Sequence, residues 1–230
     1  MAMIHIWGNG PYHPLQAQAD WIASAVAARG HRVLYGNKRA LFEPASLAQA
    51  DLLIMTGIEW SGIALAGPGD WENPALRTEH YEPLSETHFQ SILTHLNAGK
   101  PLLCHHAAIT TFNERVEFEE IFDGRWIWDR STHGPIHEFE VRLVHPEHSI
   151  NAGLSNFRIT DELYYKLNYP QRSTILLEAD YEGSPWPLAW AGKRGEAKVA
   201  FSGLGHDMRA YACPSLQKFL LNTIEWLLES

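Results

Sequence analysis

The chain has 230 residues, 45% of them hydrophobic, which is enough for one full core, so we expect a single domain over residues 1–230. Its formal net charge of -9, with no basic run among 18 Lys and Arg, argues against a nucleic acid or an anionic membrane as partner. The two cysteines make no disulfide framework, and we see neither a signal peptide nor an apolar stretch long enough to span a membrane. These features favour a cytoplasmic protein with small molecules or proteins as partners, and a homo-oligomer stays open.

The first half alternates short apolar runs with amphipathic segments, the pattern of a parallel sheet with helices on both faces. Strands are predicted at 4–7, 31–35, 51–55 and from 101, and helices from about 14 to Gly30 and from about 85 to Gly99. The stretch 57–83 is too long for an ordinary connection, so we expect a functional loop or lid there.

The second half has a different pattern. Residues 136–144 alternate apolar and charged side chains, which indicates a half-buried strand. Further extended runs are expected at 157–159, 174–177 and 188–190, and a turn at 192–195 joins the last of them to 197–201 as a hairpin. A terminal helix is predicted over 215–229. The fold class is therefore α/β, with antiparallel strands added to a mostly parallel sheet.

The segment Pro101-Leu-Leu-Cys-His-His-Ala-Ala108 predicts a strand that turns sharply into a helix, the place where many α/β enzymes hold a nucleophile. Here that elbow carries His106. Cys104 lies two positions earlier, within the strand, and should point into packing, which disfavours thiol chemistry. His105 should point to the opposite face and is interpreted as structural.

Ligands of open parallel sheets bind beyond the carboxyl ends of the strands, where the strand order reverses. Four segments follow such ends: 8–13, 57–60, 105–106 and 202–207. They would bring these candidate residues to one rim: Tyr12, His13, Glu59, Trp60, His106 and His206. The alternative interpretation of each histidine is a hydrogen-bonded interior residue with a structural role. For His13 the alternative is a cap of the first helix.

Two further candidates come from the second half. Glu162 lies among apolar and aromatic residues that would raise its pKa for acid–base work, or it pairs with an arginine. His133 is placed near the site, whereas His137 fits a buried strand position. Imidazoles with a carboxylate suit a divalent metal such as zinc, with His13, His106 and His206 as ligands, although no H-E-x-x-H or C-x-x-C spacing is present. Tryptophans such as Trp126 and Trp128 suit a sugar ligand, or belong to the core.

Several segments together resemble the trehalose-utilisation (ThuA-like) family. The matching segments are Tyr12-His13, Pro101-Leu-Leu-Cys-His-His-Ala-Ala108, Phe122-Asp-Gly124, His133 before Glu138-Phe-Glu-Val141, Thr160-Asp-Glu-Leu-Tyr164, Ala200-Phe-Ser-Gly-Leu-Gly-His206 and Ile224-Glu-Trp226. They cover most of the chain in order. The resemblance implies a flavodoxin-like three-layer sandwich, similar to the class I glutamine amidotransferases.

The resemblance also implies that His106 takes the amidotransferase cysteine position, with His206 near the catalytic histidine of that fold. Glutamine hydrolysis would then lack its thiolate. Family context points to disaccharide and keto-sugar catabolism instead. We expect a carbohydrate enzyme in which His106, His206 and Glu162 are catalytic and His13, Tyr12, His133, Glu59 and Trp60 bind substrate. The alternative is a non-catalytic sugar-binding or regulatory module.

Overall fold

The computed structural model describes residues 1–8, 13, 15–36, 39–59, 84–112 and 115–229. Tyr12, Trp60 and almost all of the predicted 57–83 lid lie outside these ranges.

The described residues form eleven strands. Their bounds are β1 Met3–Trp7, β2 Arg32–Gly36, β3 Leu52–Met55, β4 Leu102–His105, β5 Thr132–His133, β6 His137–Leu143, β7 Phe157–Asp161, β8 Tyr164–Tyr165, β9 Thr174–Tyr181, β10 Ser184–Arg194 and β11 Ala197–Ser202. Strands β5 and β8 pair with each other, and the other nine form one sheet in the order β2-β1-β3-β4-β11-β10-β9-β6-β7.

Six α-helices accompany the strands in the same ranges: α1 Leu15–Ala27, α2 Pro44–Leu47, α3 Glu86–Asn97, α4 Val116–Phe122, α5 Met208–Tyr211 and α6 Pro214–Leu228. The helix expected after the 101–105 strand is instead a 3-10 helix, His106–Thr110, and α4 was not expected. Among the described helices, none has both the length and the apolar character needed to cross a membrane.

The sheet has a parallel half and an antiparallel half, as the two halves of the sequence predict. Strands β2, β1, β3, β4 and β11 run parallel, and β10, β9, β6 and β7 continue the sheet with antiparallel pairings. The chain adds β2 on one side of β1 and β3 on the other, so the strand order reverses at β1. The carboxyl ends of β1, β3, β4 and β11 consequently meet at one edge, next to this switch point.

Helices cover both faces of the sheet and give it two cores. On one face, Ile4 and Ile6 of β1 pack with α1 and α6. On the other face, Trp7 and Leu53 pack with α3 and α4. Every residue of β3 and β4 is buried, as the unbroken apolar run of β3 indicates. The fold is a three-layer α/β sandwich of the flavodoxin and amidotransferase type.

Candidate functional site

The elbow after β4 holds its histidine in an unusual backbone conformation. His106 has φ of +47°, in the left-handed region that non-glycine residues seldom adopt and that recurs at functional sites. Its fully buried ring donates from Nδ1 to the Gly203 carbonyl at 2.7 Å. A neutral imidazole with a proton on Nδ1 keeps an unprotonated Nε2, so this bond determines which nitrogen is the acceptor. Burial lowers the pKa of His106 to about 4, which keeps the ring neutral at pH 7.

Three histidines from distant segments converge on one oxygen of Glu162. Its Oε2 lies 3.9 Å from His13 Nε2, 3.6 Å from His106 Nε2 and 3.2 Å from His206 Nδ1. One ligand atom from each of the four residues lies within 4.8 Å of the others. The histidines follow β1, β4 and β11, and the carboxylate follows β7. We call these four residues the His/Glu cluster.

The other oxygen of Glu162 is engaged separately. Oε1 lies 2.7 Å from Nδ1 of His133, whose side chain is 52% exposed. This pairing raises the pKa of His133, because the carboxylate stabilises the imidazolium. Burial would raise the pKa of Glu162, but the imidazole groups close to its carboxylate lower it well below its usual range. Glu162 is therefore ionised at neutral pH, and its environment differs from the apolar, pKa-raising one that the sequence suggests.

Asp161 connects the segments that carry Glu162 and His206. Its buried carboxylate accepts hydrogen bonds from the backbone N–H groups of Glu162 at 2.8 Å, Gly205 at 2.6 Å and His206 at 2.9 Å. Because neighbours on a strand point in opposite directions, Asp161 can bond to the loop while Glu162 turns toward the cluster. The sequence analysis did not single out this residue, although it directly precedes Glu162.

Tyr164 is a second residue that the sequence analysis missed as a candidate. Its hydroxyl lies 3.0 Å from His106 Nε2 and 3.4 Å from His13 Nε2. Its ring stacks on the His106 ring at 4.4 Å between centroids and meets the Trp126 ring edge-on at 5.2 Å. Burial raises the pKa of this phenol well above its ordinary value, so the hydroxyl keeps its proton.

A cavity of about 320 Å³ opens above the cluster. Its lining residues are His13, Ile58, Thr110, Trp126, Trp128, His133, Glu162, Tyr164 and His206. His106 is fully buried and contacts two of these residues, Tyr164 and Glu162. Ile58 rather than Glu59 lines the cavity, and the Glu59 carboxylate accepts a hydrogen bond from the Leu84 backbone N–H.

The residues interpreted as structural lie away from this cavity. His105 Nε2 is 2.8 Å from the Tyr211 hydroxyl. Cys104 is completely buried in the core that contains Trp7, and burial raises the pKa of its thiol well above its usual value. A buried, protonated thiol is a poor nucleophile. His137 is half-buried rather than buried.

The donor atoms of the His/Glu cluster fit a divalent cation. In a tetrahedral zinc site with bonds of about 2.0–2.1 Å, ligand atoms lie about 3.3 Å apart. The separations of 3.2, 3.6 and 3.9 Å from Glu162 Oε2 are close to that value. In addition, His206 Nδ1 is buried and, although it lies 3.2 Å from Glu162 Oε2, makes no hydrogen bond of good geometry among the described residues. Neutral imidazoles and a carboxylate are the ligand types that zinc prefers outside thiolate sites.

Solved structures share the fold over almost the whole chain. A ThuA-like protein from Parabacteroides merdae has a TM-score of 0.75 at 20% identity, over 98% of this chain and 88% of its own. A protein of Salmonella typhimurium described as cytoplasmic has a TM-score of 0.70 at 15% identity, over 99% of both chains. A glutamine amidotransferase from Thermotoga maritima has a TM-score of 0.55 at 11% identity, over 99% of this chain and 98% of its own. At these identities the likeness shows the fold alone.

The sequence gives the family directly. No curated protein matches the chain. The ThuA family, described as trehalose utilisation, matches residues 4–227. With nearly the whole length matched, and with ThuA-like proteins among the structures that share its fold, the chain belongs to the ThuA family.

Proposed function

We propose that this chain is a carbohydrate enzyme that acts on a disaccharide, glycoside or keto-sugar at the His/Glu cluster, with a bound divalent cation such as zinc. The observation that carries the proposal is the convergence of His13, His106 and His206 on one oxygen of Glu162. The family description, trehalose utilisation, supports a sugar as the substrate class.

His13, His106, His206 and Glu162 would hold the cation. With a carbonyl oxygen of the substrate as a further ligand, the cation would polarise that carbonyl and so acidify the C–H bond next to it. His133 pairs with Glu162 and is half exposed on the open side, where we assign it proton transfer with the substrate.

A keto-sugar with its carbonyl two carbons from the glycosidic carbon gives a balanced cleavage. A base removes the proton on the carbon between them, that C–H electron pair forms a carbon–carbon double bond, and the glycosidic C–O bond breaks. The leaving oxygen takes the electron pair and a proton. Isomerisation begins with the same proton removal, so the same residues would serve both reactions.

The wall of the cavity suits a sugar. Trp126 and Trp128 line it together, with ring centroids 6.1 Å apart, and Trp128 is 38% exposed. Aromatic faces pack well against the apolar C–H surface of a pyranose, and their hydrogen-bonding edges tolerate water. Both side chains are accordingly assigned to substrate binding.

The location and the partners of the protein are inferred from a similar protein and from the net charge. The similar Salmonella protein is described as cytoplasmic, and we infer the same location here. The charge of -9 supports a small-molecule sugar rather than nucleic acid or a membrane surface as partner. A homo-oligomer is compatible with the proposal and is tested by measuring the mass in solution.

The experiment compares glucosides with their 3-keto derivatives, using protein stripped with a chelator and reloaded with zinc. We expect turnover of the keto compounds, loss of turnover on chelation and recovery with zinc. His206→Ala should lower turnover by about 10²–10⁴-fold, the usual range for a lost acid–base or ligand group. The control is His145→Ala, which changes an exposed histidine that pairs with Glu147. Turnover that survives both chelation and His206→Ala would contradict the proposal.

The second candidate is a sugar-binding module without catalysis, which the same tryptophan wall favours. Binding of a glucoside without turnover, unaffected by chelation, would support this candidate instead.

A further inference from the structure

The Tyr164 hydroxyl contacts two nitrogens that would also hold the proposed cation. Within the described part of the chain, its hydrogen-bond neighbours are His106 Nε2 and His13 Nε2, at 3.0 and 3.4 Å. Both nitrogens belong to the His/Glu cluster. A nitrogen lone pair that coordinates a cation can no longer accept a hydrogen bond, so the hydroxyl and the cation compete for the same atoms.

The direction of the hydrogen bond between Tyr164 and His106 is determined by the Gly203 carbonyl. His106 Nδ1 donates to the Gly203 carbonyl at 2.7 Å, and a carbonyl oxygen can only accept. Nε2 of the neutral ring is then an acceptor, and the Tyr164 O–H is the donor. The hydroxyl proton therefore points at His106 Nε2, one of the nitrogens that would hold the cation.

When the cation binds, this proton needs another acceptor, because a buried hydroxyl without one is unfavourable. Tyr164 lines the cavity in which the substrate would lie. A substrate that enters this cavity after the cation has bound offers an oxygen as that acceptor. A hydrogen bond to that oxygen strengthens as negative charge develops on it, which is the action of an oxyanion-stabilising donor.

We propose that Tyr164 is a cation-dependent hydrogen-bond donor, bonded to His106 in the free site and to the substrate oxygen in the loaded site. The inference rests on the cation site in the proposed function. It deepens that function by naming the group that recognises the polarised carbonyl of a keto-sugar.

The tyrosine ring is held in position by its neighbours, so a small rotation of the O–H bond is enough for the exchange. The ring lies between the His106 face and the Trp126 edge, and β8 pairs with β5. A donor that needs no rearrangement of its ring is preorganised for binding.

The test uses Tyr164→Phe, which keeps the ring and removes only the hydroxyl. Zinc affinity is measured by competition with a chromophoric chelator, and acetohydroxamate, a zinc-binding oxygen ligand, is then titrated into the zinc-loaded protein. We expect zinc to bind about 2- to 10-fold tighter in the variant, since no hydrogen bond has to be broken, and acetohydroxamate to bind about 2- to 10-fold more weakly. Damage to the site would weaken both.

Tyr165→Phe is the matched control, because the Tyr165 hydroxyl bonds to Glu182 instead of to the cluster, and both constants should stay unchanged. If Tyr164→Phe does not fold, Tyr164→Leu is measured instead, and we again expect tighter zinc binding and weaker acetohydroxamate binding. Any pattern in Tyr164→Phe other than the opposed shifts overturns the inference while leaving the cation site intact. If the wild-type protein binds no zinc, the cation site itself fails, and the inference fails with it.

Discussion

The Asp161 carboxylate accepts a 2.6 Å hydrogen bond from the backbone N–H of Gly205. This bond joins the end of β7 to the loop after β11, two segments of distant sequence. The same carboxylate accepts hydrogen bonds from the N–H groups of Glu162 and His206. Asp161 therefore positions a carboxylate and an imidazole of the His/Glu cluster relative to each other.

We expect Asp161→Asn to destabilise the protein and loosen the cluster. Oδ1 accepts from the Glu162 and His206 N–H groups and Oδ2 from Gly205, so an asparagine must turn its NH₂ group toward at least one donor. An unpaired buried donor costs about 1–3 kcal/mol. Urea unfolding measures the loss, and a zinc titration should show weaker binding. Asp129→Asn, at an exposed position, is the control; equal effects of the two substitutions would contradict the positioning role.

Cys104 should not react in the folded protein. Its thiol is buried and its pKa is raised, so little thiolate is present or accessible. In Cys213→Ser, we expect iodoacetamide to label Cys104 only after unfolding in guanidinium. In Cys104→Ser, the partly exposed Cys213 should react in the native state. Rapid labelling of Cys104 in the native protein would show that its thiol is reactive. Glutamine hydrolysis that Cys104→Ser abolishes would show the same.

His95 should make the protein less stable in mild acid. Burial lowers its pKa from 6.5 to about 4, and its Nε2 lies 2.9 Å from the Pro101 carbonyl, to which it donates. The unfolded chain therefore takes up this proton at a higher pH than the folded chain does. Above about pH 6.5 the protonation of His95 does not affect the free energy of unfolding. As the pH drops to about 4, this protonation lowers the free energy of unfolding by about 3 kcal/mol.

The check is His95→Gln, which keeps an N–H donor but does not titrate. Urea unfolding at several pH values between 7.5 and 4.5 gives the difference in unfolding free energy between variant and wild type. Other titrating groups contribute equally to both proteins and cancel. We expect the variant to gain relative stability as the pH falls. A difference that stays constant with pH would show that His95 titrates normally.

Zinc should stabilise the wild-type protein against unfolding, because a ligand that binds only the folded state adds free energy by mass action. At 100 times the dissociation constant the gain is about 2.7 kcal/mol. His106→Ala should lose most of this gain, whereas His137→Ala, which changes a histidine outside the cluster, should keep it. A gain of the same size in both variants would place the zinc elsewhere.

The sequence predicts the sheet well because its strands carry simple patterns. The apolar run 51–55 gives β3, which spans Leu52–Met55, and the alternation over 136–144 gives β6, which spans His137–Leu143. The rule for carboxyl ends of parallel strands also predicts that His106 and His206 lie at one edge. These predictions need only local periodicity and chain direction.

The residues that hold the His/Glu cluster in position cannot be predicted from local periodicity and chain direction alone. Asp161 acts through backbone N–H groups of Gly205 and His206, and a backbone donor leaves no mark in the sequence. Tyr164 lies on a two-residue strand, too short for any periodicity to show which way its side chain points. The left-handed backbone of His106 is equally hidden, because nothing local requires it. Such features depend on tertiary contacts.

X-ray diffraction from zinc-soaked crystals, recorded at the zinc absorption edge, tests whether the His/Glu cluster binds zinc. We expect one strong anomalous peak about 2.0–2.2 Å from His13 Nε2, His106 Nε2, His206 Nδ1 and a Glu162 oxygen. That peak should disappear in His206→Ala crystals soaked in the same way. Zinc bound only at other histidines at saturating zinc would rule out the His/Glu cluster as the cation site.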